Sequence, residues 1–163
     1  MKNRKKIQNV AFGAIVAALY VVLTYIASAF GLASYAIQVR FSEALTILPL
    51  FTPAAIPGLF TGCLLANILT GCATWDIIFG SIATLLGAIG TYCLRKTKFC
   101  YLLPPIIANT LIVPPVLMYV YQLEGTYLYF TLTVCLGEII SCGILGIILK
   151  KGLDKSSFFS KHF

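Results

Sequence analysis

The sequence predicts an all-α integral membrane protein, built as a bundle of six transmembrane helices with both termini in the cytoplasm. Of its 163 residues, 60% are hydrophobic and only 10% are charged, whereas soluble domains have about 25% charged residues. One helical crossing takes about 20 apolar residues, so a chain of this length holds roughly six crossings with short connections. We therefore expect residues 1–163 to form a single transmembrane domain.

Charges, glycines and prolines divide the apolar sequence into six stretches. The predicted spans lie near residues 8–30, 36–51, 53–70, 76–94, 99–121 and 127–149. The second is short and contains Arg40 and Glu43, so we expect it to be tilted or partly irregular where protein or water surrounds it. Pro49, Pro53 and Pro57 predict a tight reversal before the third span, because proline ends or kinks a helix.

The basic residues set the predicted orientation, because Lys and Arg are enriched in cytoplasmic connections. With six spans and a cytoplasmic N-terminus, all of them except Arg40 fall on the cytoplasmic side: Lys2, Arg4, Lys5, Lys6, Arg95, Lys96, Lys98, Lys150, Lys151, Lys155 and Lys161. The N-terminal region resembles a secretory signal but lacks a small-residue cleavage site, so we expect it to be retained. The net charge of +7 is spread over short clusters, which favours a topology signal and no nucleic-acid partner.

Several polar residues interrupt the apolar spans, where an unpaired charge costs a few kcal/mol or more on insertion scales. In the predicted topology they lie in the outer half or near the middle of the membrane, which indicates a pocket open to the exterior. A pore would need a polar lining throughout its depth. Glu138 is the strongest candidate, because it lies near the middle of an apolar helix. The predicted substrate-binding residues are Arg40, Glu43, Asn67, Trp75, Asp76, Asn109 and Glu138.

Structural roles are also open for these residues. Arg40 and Glu43 are three residues apart and could neutralise one another on one helix face. Asp76 could cap a helix N-terminus together with Thr74. The two asparagines could form hydrogen bonds between helices, and Trp75 could belong to an interfacial aromatic belt.

Motifs for catalysis and ATP hydrolysis are absent from the sequence. It contains no Gly-x-x-x-x-Gly-Lys phosphate loop, no His-Glu-x-x-His and no nucleophile elbow, and its single histidine, His162, lies in the C-terminal tail. The six cysteines show no Cys-x-x-Cys spacing, which favours neither a disulfide framework nor a metal site. We expect a non-enzymatic protein without a cofactor.

Small residues on two spans predict close helix contacts. Ala14 and Ala18 are four residues apart on the first span and form a ridge of small side chains that lets another helix approach. Gly58 and Gly62 repeat this spacing on the third span, where packing within the bundle is the favoured interpretation.

Three segments carry a family resemblance: Val39–Thr46, Leu48–Leu59 and Asp76–Ser81. Together they resemble the queuosine-precursor transporter family, which are substrate-binding S components of energy-coupling factor (ECF) importers. The resemblance covers nearly the whole chain, and Arg-x-Ser-Glu-Ala-Leu is its most specific part.

The resemblance implies a six-helix subunit that captures its ligand at the outer face of the cell membrane. It also implies docking on a membrane coupling protein, the T component, and on two ATPase subunits, followed by toppling in the lipid bilayer to release the ligand inside. The Ala-x-x-x-Ala motif of these subunits matches Ala14 and Ala18, which are therefore the expected partner interface.

A 7-deazaguanine, the ligand class implied by the resemblance, suits the predicted polar residues. Its adjacent N–H donors match a carboxylate, which Glu43 or Glu138 can supply, and its carbonyl oxygen needs a donor such as Arg40 or either asparagine. The single tryptophan could stack on the ring. A precursor with an aminomethyl cation would use a second carboxylate, Asp76 or Glu124.

Other transport functions remain open on the sequence alone. The chain could be an S component for another vitamin or base. It could also be a small ion-coupled secondary transporter in which Glu138 carries a proton, with proline-broken segments at 49–57 and 104–115 as a weak indication of an internal repeat. A membrane enzyme has no paired catalytic groups to support it.

Overall fold

The computed structural model describes residues 2–31 and 39–156, and this part of the chain is helical throughout, with short connections. Its elements are α1 (Lys2–Ala29), a 3₁₀ segment (Phe41–Leu50), α2 (Ala55–Leu69), α3 (Thr74–Cys93), a 3₁₀ turn (Cys100–Leu102) leading into α4 (Leu103–Tyr119), α5 (Tyr127–Glu138), a π segment (Ile139–Leu145) and α6 (Gly146–Lys155). Within the described ranges there is no β-strand.

Four helical stretches are long and apolar enough to cross a membrane: Asn3–Ala29, Thr74–Cys93, Cys100–Tyr119 and Tyr127–Lys155. Two shorter apolar helices, Phe41–Leu50 and Ala55–Leu69, coincide with the second and third predicted spans. The all-helical class and the membrane character are thus confirmed. Six complete crossings and cytoplasmic termini stay predictions. Residues 36–38 of the second predicted span lie outside the described residues.

The 3₁₀ segment lies inside the bundle and is the irregular element expected from the sequence. At about 2.0 Å per residue its ten residues extend only about 20 Å, less than the hydrocarbon thickness of about 30 Å. Every residue from Ser42 to Pro49 is buried, and the segment contacts α1, α2, α3, α6 and the π segment. Neighbouring helices therefore shield the backbone of the 3₁₀ segment, and Glu43 on this segment lies in the interior of the bundle.

Glycines allow α1 and α2 to pack with their backbones almost touching. A Cβ atom placed on Gly58 would lie 2.5 Å from the carbonyl oxygen of Gly13, and one on Gly62 would lie 2.7 Å from Cβ of Tyr20. These contacts show that the glycine pair of α2 packs within the bundle, as favoured from the sequence. They also fix α1 in place and orient Tyr20 toward the core.

The predicted alanine ridge lies on another face of α1. Ala14 and Ala18 are exposed, whereas Gly13, Val16 and Tyr20 are buried against the bundle. The ridge is therefore available on the outer surface of the helix.

Candidate binding site

A cavity of about 300 Å³ opens at one end of the bundle, where α1, α2, α3 and the turn after α4 meet. Its volume lies at the lower end of the range of about 300–1,000 Å³ for small-molecule sites. Three of the predicted site residues, Arg40, Asn67 and Asp76, line it together with Thr24, Ser28, Thr70, Gly71, Cys72, Leu117, Tyr121 and Leu123. The structure thus brings residues 36 positions apart in sequence to one polar cavity.

Asp76 is held at the cavity wall by the turn that follows α4. The hydroxyl of Tyr121 donates a hydrogen bond to Oδ2 of Asp76 at 2.9 Å and accepts one from the backbone N–H of Ala73 at 3.1 Å. Partial burial, reinforced by the negative charge of Asp76, raises the pKa of Tyr121, so this phenol remains a donor. Asp76 therefore connects the first turn of α3 to Tyr121, which is a different role from capping its own helix.

Asn67 links the cavity to a deeper polar cluster. Its amide nitrogen lies 3.5 Å from the carbonyl oxygen of Asp76 and 3.7 Å from Sγ of Cys63. The hydroxyl of Thr84 lies 3.3 Å from the same sulfur and 3.4 Å from Oε1 of Glu43. These contacts form a continuous polar path from the cavity to Glu43.

Glu43 is the centre of the deeper cluster and is only 1% exposed. Its Oε1 accepts hydrogen bonds from the hydroxyls of Tyr20 and Thr84. Its Oε2 is buried and has no hydrogen-bond partner among the described residues. One carboxylate oxygen is therefore fixed by donors, while the other keeps its acceptor capacity.

Glu138 lies beside Glu43 at the junction of α5 and the π segment. A carboxylate oxygen of each acid and the sulfur of Cys142 lie within 4.8 Å of one another. The thiol of Cys142 donates to Oε2 of Glu138 at 3.1 Å. In the described ranges these three are the group spaced like metal ligands; the absence of a bound metal stays a prediction from the sequence.

Asn109 of α4 completes the deeper cluster. Its side chain is next to both Glu43 and Glu138. It is 3% exposed, and its amide nitrogen has no hydrogen bond of normal geometry within the described part of the chain. Its amide is therefore buried beside two carboxylates without a well-aligned hydrogen bond, an arrangement that costs up to about 1–3 kcal/mol.

Negative charge exceeds positive charge around this path. Arg40 lines the cavity together with Asp76, and it precedes Glu43 by three residues. Glu138 is the third carboxylate in the same region and adds its repulsion to Glu43. The pairing of Arg40 with Glu43 alone, considered from the sequence, is therefore only part of the arrangement.

Trp75 lies apart from the other predicted site residues. Its side chain is 56% exposed and stacks on Phe79 with ring centroids 5.8 Å apart. Both residues line an apolar groove of about 630 Å³ between α3 and α4, together with Val116 and other residues. The polar cavity and Trp75 are consequently on different sides of α3.

Four residues whose side chains donate hydrogen bonds to the carboxylates of the site were not identified from the sequence: Tyr20, Thr84, Cys142 and Tyr121. The sequence does contain a signal for Thr84, because Asp76, Gly80 and Thr84 lie at four-residue intervals and therefore share one face of α3. Tyr20 lies on the buried stripe of α1 with Val16 and Thr24, but a tyrosine in such a stripe gives no indication of its partner.

A bundle of apolar helices that encloses buried carboxylates beneath an open cavity is typical of a polytopic membrane protein, and the cavity is its candidate binding site. Comparison with protein-family models gives a match to the family described as QueT transporter over residues 10–155. The chain belongs to the QueT transporter family and is a membrane transporter. No curated protein and no solved structure matches the chain.

Proposed function

We propose that this protein is the substrate-binding S component of an ECF-type importer in the cell membrane and that it captures a queuosine precursor of the 7-deazaguanine class at the outer face. The observation that carries this proposal is the polar path from the cavity through Asn67 and Thr84 to Glu43. It supports binding of a small, flat, polar ligand, since its donors and acceptors line one end of the bundle and are enclosed by apolar helices.

The heterocycle has a good chemical fit to the cavity. The carbonyl oxygen of a 7-deazaguanine requires a donor, and Arg40 and Asn67 both line the cavity. Its adjacent N–H groups require a carboxylate, which Asp76 provides in the cavity and Glu43 provides below it. The lining therefore contains complementary groups for both edges of the ring system.

The partners follow from the same proposal. In it, Ala14 and Ala18 form the docking surface for the T component, because both are exposed on the outer face of α1 and small residues permit close helix approach in lipid. Two ATPase subunits supply the energy, and the chain itself is not an enzyme. The N- and C-termini are cytoplasmic in this arrangement.

Ligand binding by the purified protein is the direct test. Isothermal titration calorimetry with a panel of 7-deazaguanines and unrelated vitamins should give binding only with the 7-deazaguanines. Glu43→Gln should weaken it by about 1–3 kcal/mol, because a buried donor then faces a poorly matched amide. Asp154→Asn is the matched control, since Asp154 is exposed and paired with Lys150 at 2.6 Å. Selective binding of another vitamin, or no effect of Glu43→Gln, would contradict the proposal.

An ion-coupled secondary transporter is the second candidate, and the adjacent Glu43 and Glu138 carboxylates favour it because they could carry a proton. Uptake of labelled 7-deazaguanine into proteoliposomes separates the two functions. An S component requires the T component, the ATPases and ATP. Uptake driven by a proton gradient with the protein alone would establish the secondary transporter.

A further inference from the structure

Three side chains that can bind a metal ion meet in the core of the bundle, although they come from distant parts of the chain. One carboxylate oxygen of Glu43, one of Glu138 and Sγ of Cys142 lie within 4.8 Å of one another. A zinc ion bonds to carboxylate oxygen and thiolate sulfur at about 2.0–2.3 Å, so its bonds bridge atoms up to about 4.4 Å apart. Small side-chain rotations would therefore bring all three atoms into contact with one ion.

The charges around these three residues favour a cation. Asp76, Glu43 and Glu138 are three carboxylates in this region, and among the described residues Arg40 is the cation that interacts with them. Two ionised carboxylates close together and removed from water repel each other strongly. One guanidinium does not neutralise three carboxylates, whereas a divalent ion beside Glu43 and Glu138 would balance the remaining charge.

An unmatched oxygen of Glu43 is a second, independent observation. Glu43 is only 1% exposed. The hydroxyls of Tyr20 and Thr84 donate hydrogen bonds to its Oε1, whereas its Oε2 is buried and has no hydrogen-bond partner in the described part of the chain. A buried acceptor without a donor is unfavourable, and a metal ion would bind this oxygen in place of a donor.

We propose that Glu43, Glu138 and Cys142 bind one divalent metal ion, with Zn²⁺ as the preferred ion. Carboxylate oxygen and thiolate sulfur are both ligands of Zn²⁺, whereas Mg²⁺ and Ca²⁺ prefer a shell of oxygen atoms. Three protein ligands leave the fourth position of a tetrahedral ion for water or another small ligand. Binding forms one Zn–S bond and two Zn–O bonds, and the thiol proton of Cys142 leaves to solvent with no change of oxidation state.

The surrounding contacts support the three ligands. The thiol of Cys142 lies 3.1 Å from Oε2 of Glu138, so two of the ligands are already in contact. The hydroxyl of Thr46 lies 3.5 Å from the same sulfur, and hydrogen bonds of this kind orient metal ligands. The polar path through Asn67 and Thr84 connects the cavity to the three ligands, which gives a metal ion a route from the open end of the cavity.

This site departs from the sequence-based prediction, in which the spacing of the cysteines favoured no metal site. Glu43 and Cys142 are 99 residues apart, so no local spacing reveals them as partners. The proposal is independent of the transport function proposed above, because it requires no 7-deazaguanine.

Metal titration of the purified protein tests the site directly. The full chain is purified in detergent with an affinity tag that contains no histidine, dialysed against EDTA and then into buffer, and titrated with Zn²⁺, Cd²⁺, Mg²⁺ or Ca²⁺ in a calorimeter. One Zn²⁺ or Cd²⁺ ion should bind per chain, at least about a hundredfold more tightly than Mg²⁺ or Ca²⁺. Cd²⁺ should also produce the ultraviolet charge-transfer absorption of a cadmium–thiolate bond.

Variants locate the bound ion. Cys142→Ser should remove the charge-transfer absorption and weaken Zn²⁺ binding by at least about tenfold, and Glu138→Gln should weaken Zn²⁺ binding to a similar extent. Cys135→Ser is the matched control, because this cysteine of α5 is not one of the three ligands. Cys63→Ser is a second control, since its sulfur lies on the polar path, 3.3 Å from the hydroxyl of Thr84. Both control variants should keep the absorption and the affinity.

Thermal unfolding gives a separate measurement. Zn²⁺ should raise the Tm of the unsubstituted protein and of Cys135→Ser, because an ion that binds only the folded state stabilises it. It should not raise the Tm of Cys142→Ser, whose cooperative transition would show that this variant is folded.

The opposite results are equally clear. Absence of Zn²⁺ and Cd²⁺ binding by the unsubstituted protein would overturn the proposal, as would equal affinity for Mg²⁺. Retention of the absorption in Cys142→Ser, with its loss in Cys63→Ser or Cys135→Ser, would place the ion at another thiol and also overturn it. None of these titrations contains a 7-deazaguanine, so their failure would leave the proposed transport function standing.

Discussion

Replacement of Gly58 with alanine should disturb the close backbone contact between α1 and α2. The new Cβ would lie 2.5 Å from the carbonyl oxygen of Gly13 and 3.0 Å from its Cα. These are backbone atoms, which cannot rotate away, so α1 must move by about 0.9 Å to restore an ordinary contact of about 3.4 Å. Overpacking of this kind costs about 1–3 kcal/mol, and the better helix propensity of alanine returns at most about 1 kcal/mol.

The expected net destabilisation is about 0–2 kcal/mol, measured by reversible unfolding in mixed detergent micelles with circular dichroism. Gly13→Ala should cost less, because the nearest atom to its Cβ is at 3.3 Å and the next at 3.9 Å. Gly152→Ala should add stability of up to about 1 kcal/mol through helix propensity, since no atom lies within 4 Å of the new Cβ. If Gly58→Ala unfolds at the same detergent fraction as Gly152→Ala, α1 and α2 do not pack through this glycine.

Three further substitutions test the site and the outer surface. Tyr20→Phe removes the hydroxyl that donates a hydrogen bond to Glu43 and should lower the free energy of unfolding by about 1.5–3 kcal/mol. Tyr25→Phe is the control, because Tyr25 is exposed and its hydrogen bond is 3.4 Å long, so the free energy of unfolding should change little. Equal losses of stability in the two variants would refute the reasoning. Tyr121→Phe removes the hydroxyl that donates a hydrogen bond to Asp76 and should weaken 7-deazaguanine binding by about 0.5–1.5 kcal/mol in calorimetry. Unchanged affinity would show that this hydrogen bond does not support ligand binding. Ala18→Trp should prevent co-purification with the T component and ATPases while ligand affinity persists, because the side chain is exposed on α1; lost binding with intact assembly would place this ridge inside the bundle.

The fold class could be predicted because membrane helices are encoded locally. Apolar stretches of about 20 residues and clustered basic residues need no tertiary information to be recognised. The 3₁₀ conformation of Phe41–Leu50 was less accessible. The local signal, a short stretch with two charges and Pro49, indicated irregularity but not its form, which depends on the helices that enclose it.

The cavity was predicted in part, for an equally physical reason. Arg40, Asn67 and Asp76 stand out because polar groups are costly in lipid, and they do line one cavity. Trp75 is adjacent to Asp76 in sequence, but successive residues on a helix point about 100° apart. Asp76 therefore faces the cavity, while Trp75 faces the apolar groove.

The contact between Glu43 and Glu138 could not be predicted at all. The two acids are 95 residues apart, and their proximity depends on how the 3₁₀ segment packs against the π segment. Tyr20 and Thr84 were missed because neither residue type is unusual in a membrane helix. Both residues matter because their hydroxyls donate to Glu43, and this partner can be identified only in the folded protein.

The π segment also affects how this chain can change during evolution. Its wider turn takes up an extra residue compared with an α-helix. Just beyond it, a Cβ atom placed on Gly146 would lie 3.8 Å from the carbonyl oxygen of Ala44. Deletion of one residue between 139 and 145 would remove this extra residue and restore a regular α-helix, so the residues beyond it would keep their faces. Lys150 and Lys151 would stay on the same side of the helix. The same deletion within a regular helix such as α3 would turn every later residue by about 100°. A single-codon deletion should therefore be better tolerated in this stretch than inside the regular helices, and the length of this stretch should vary more than theirs.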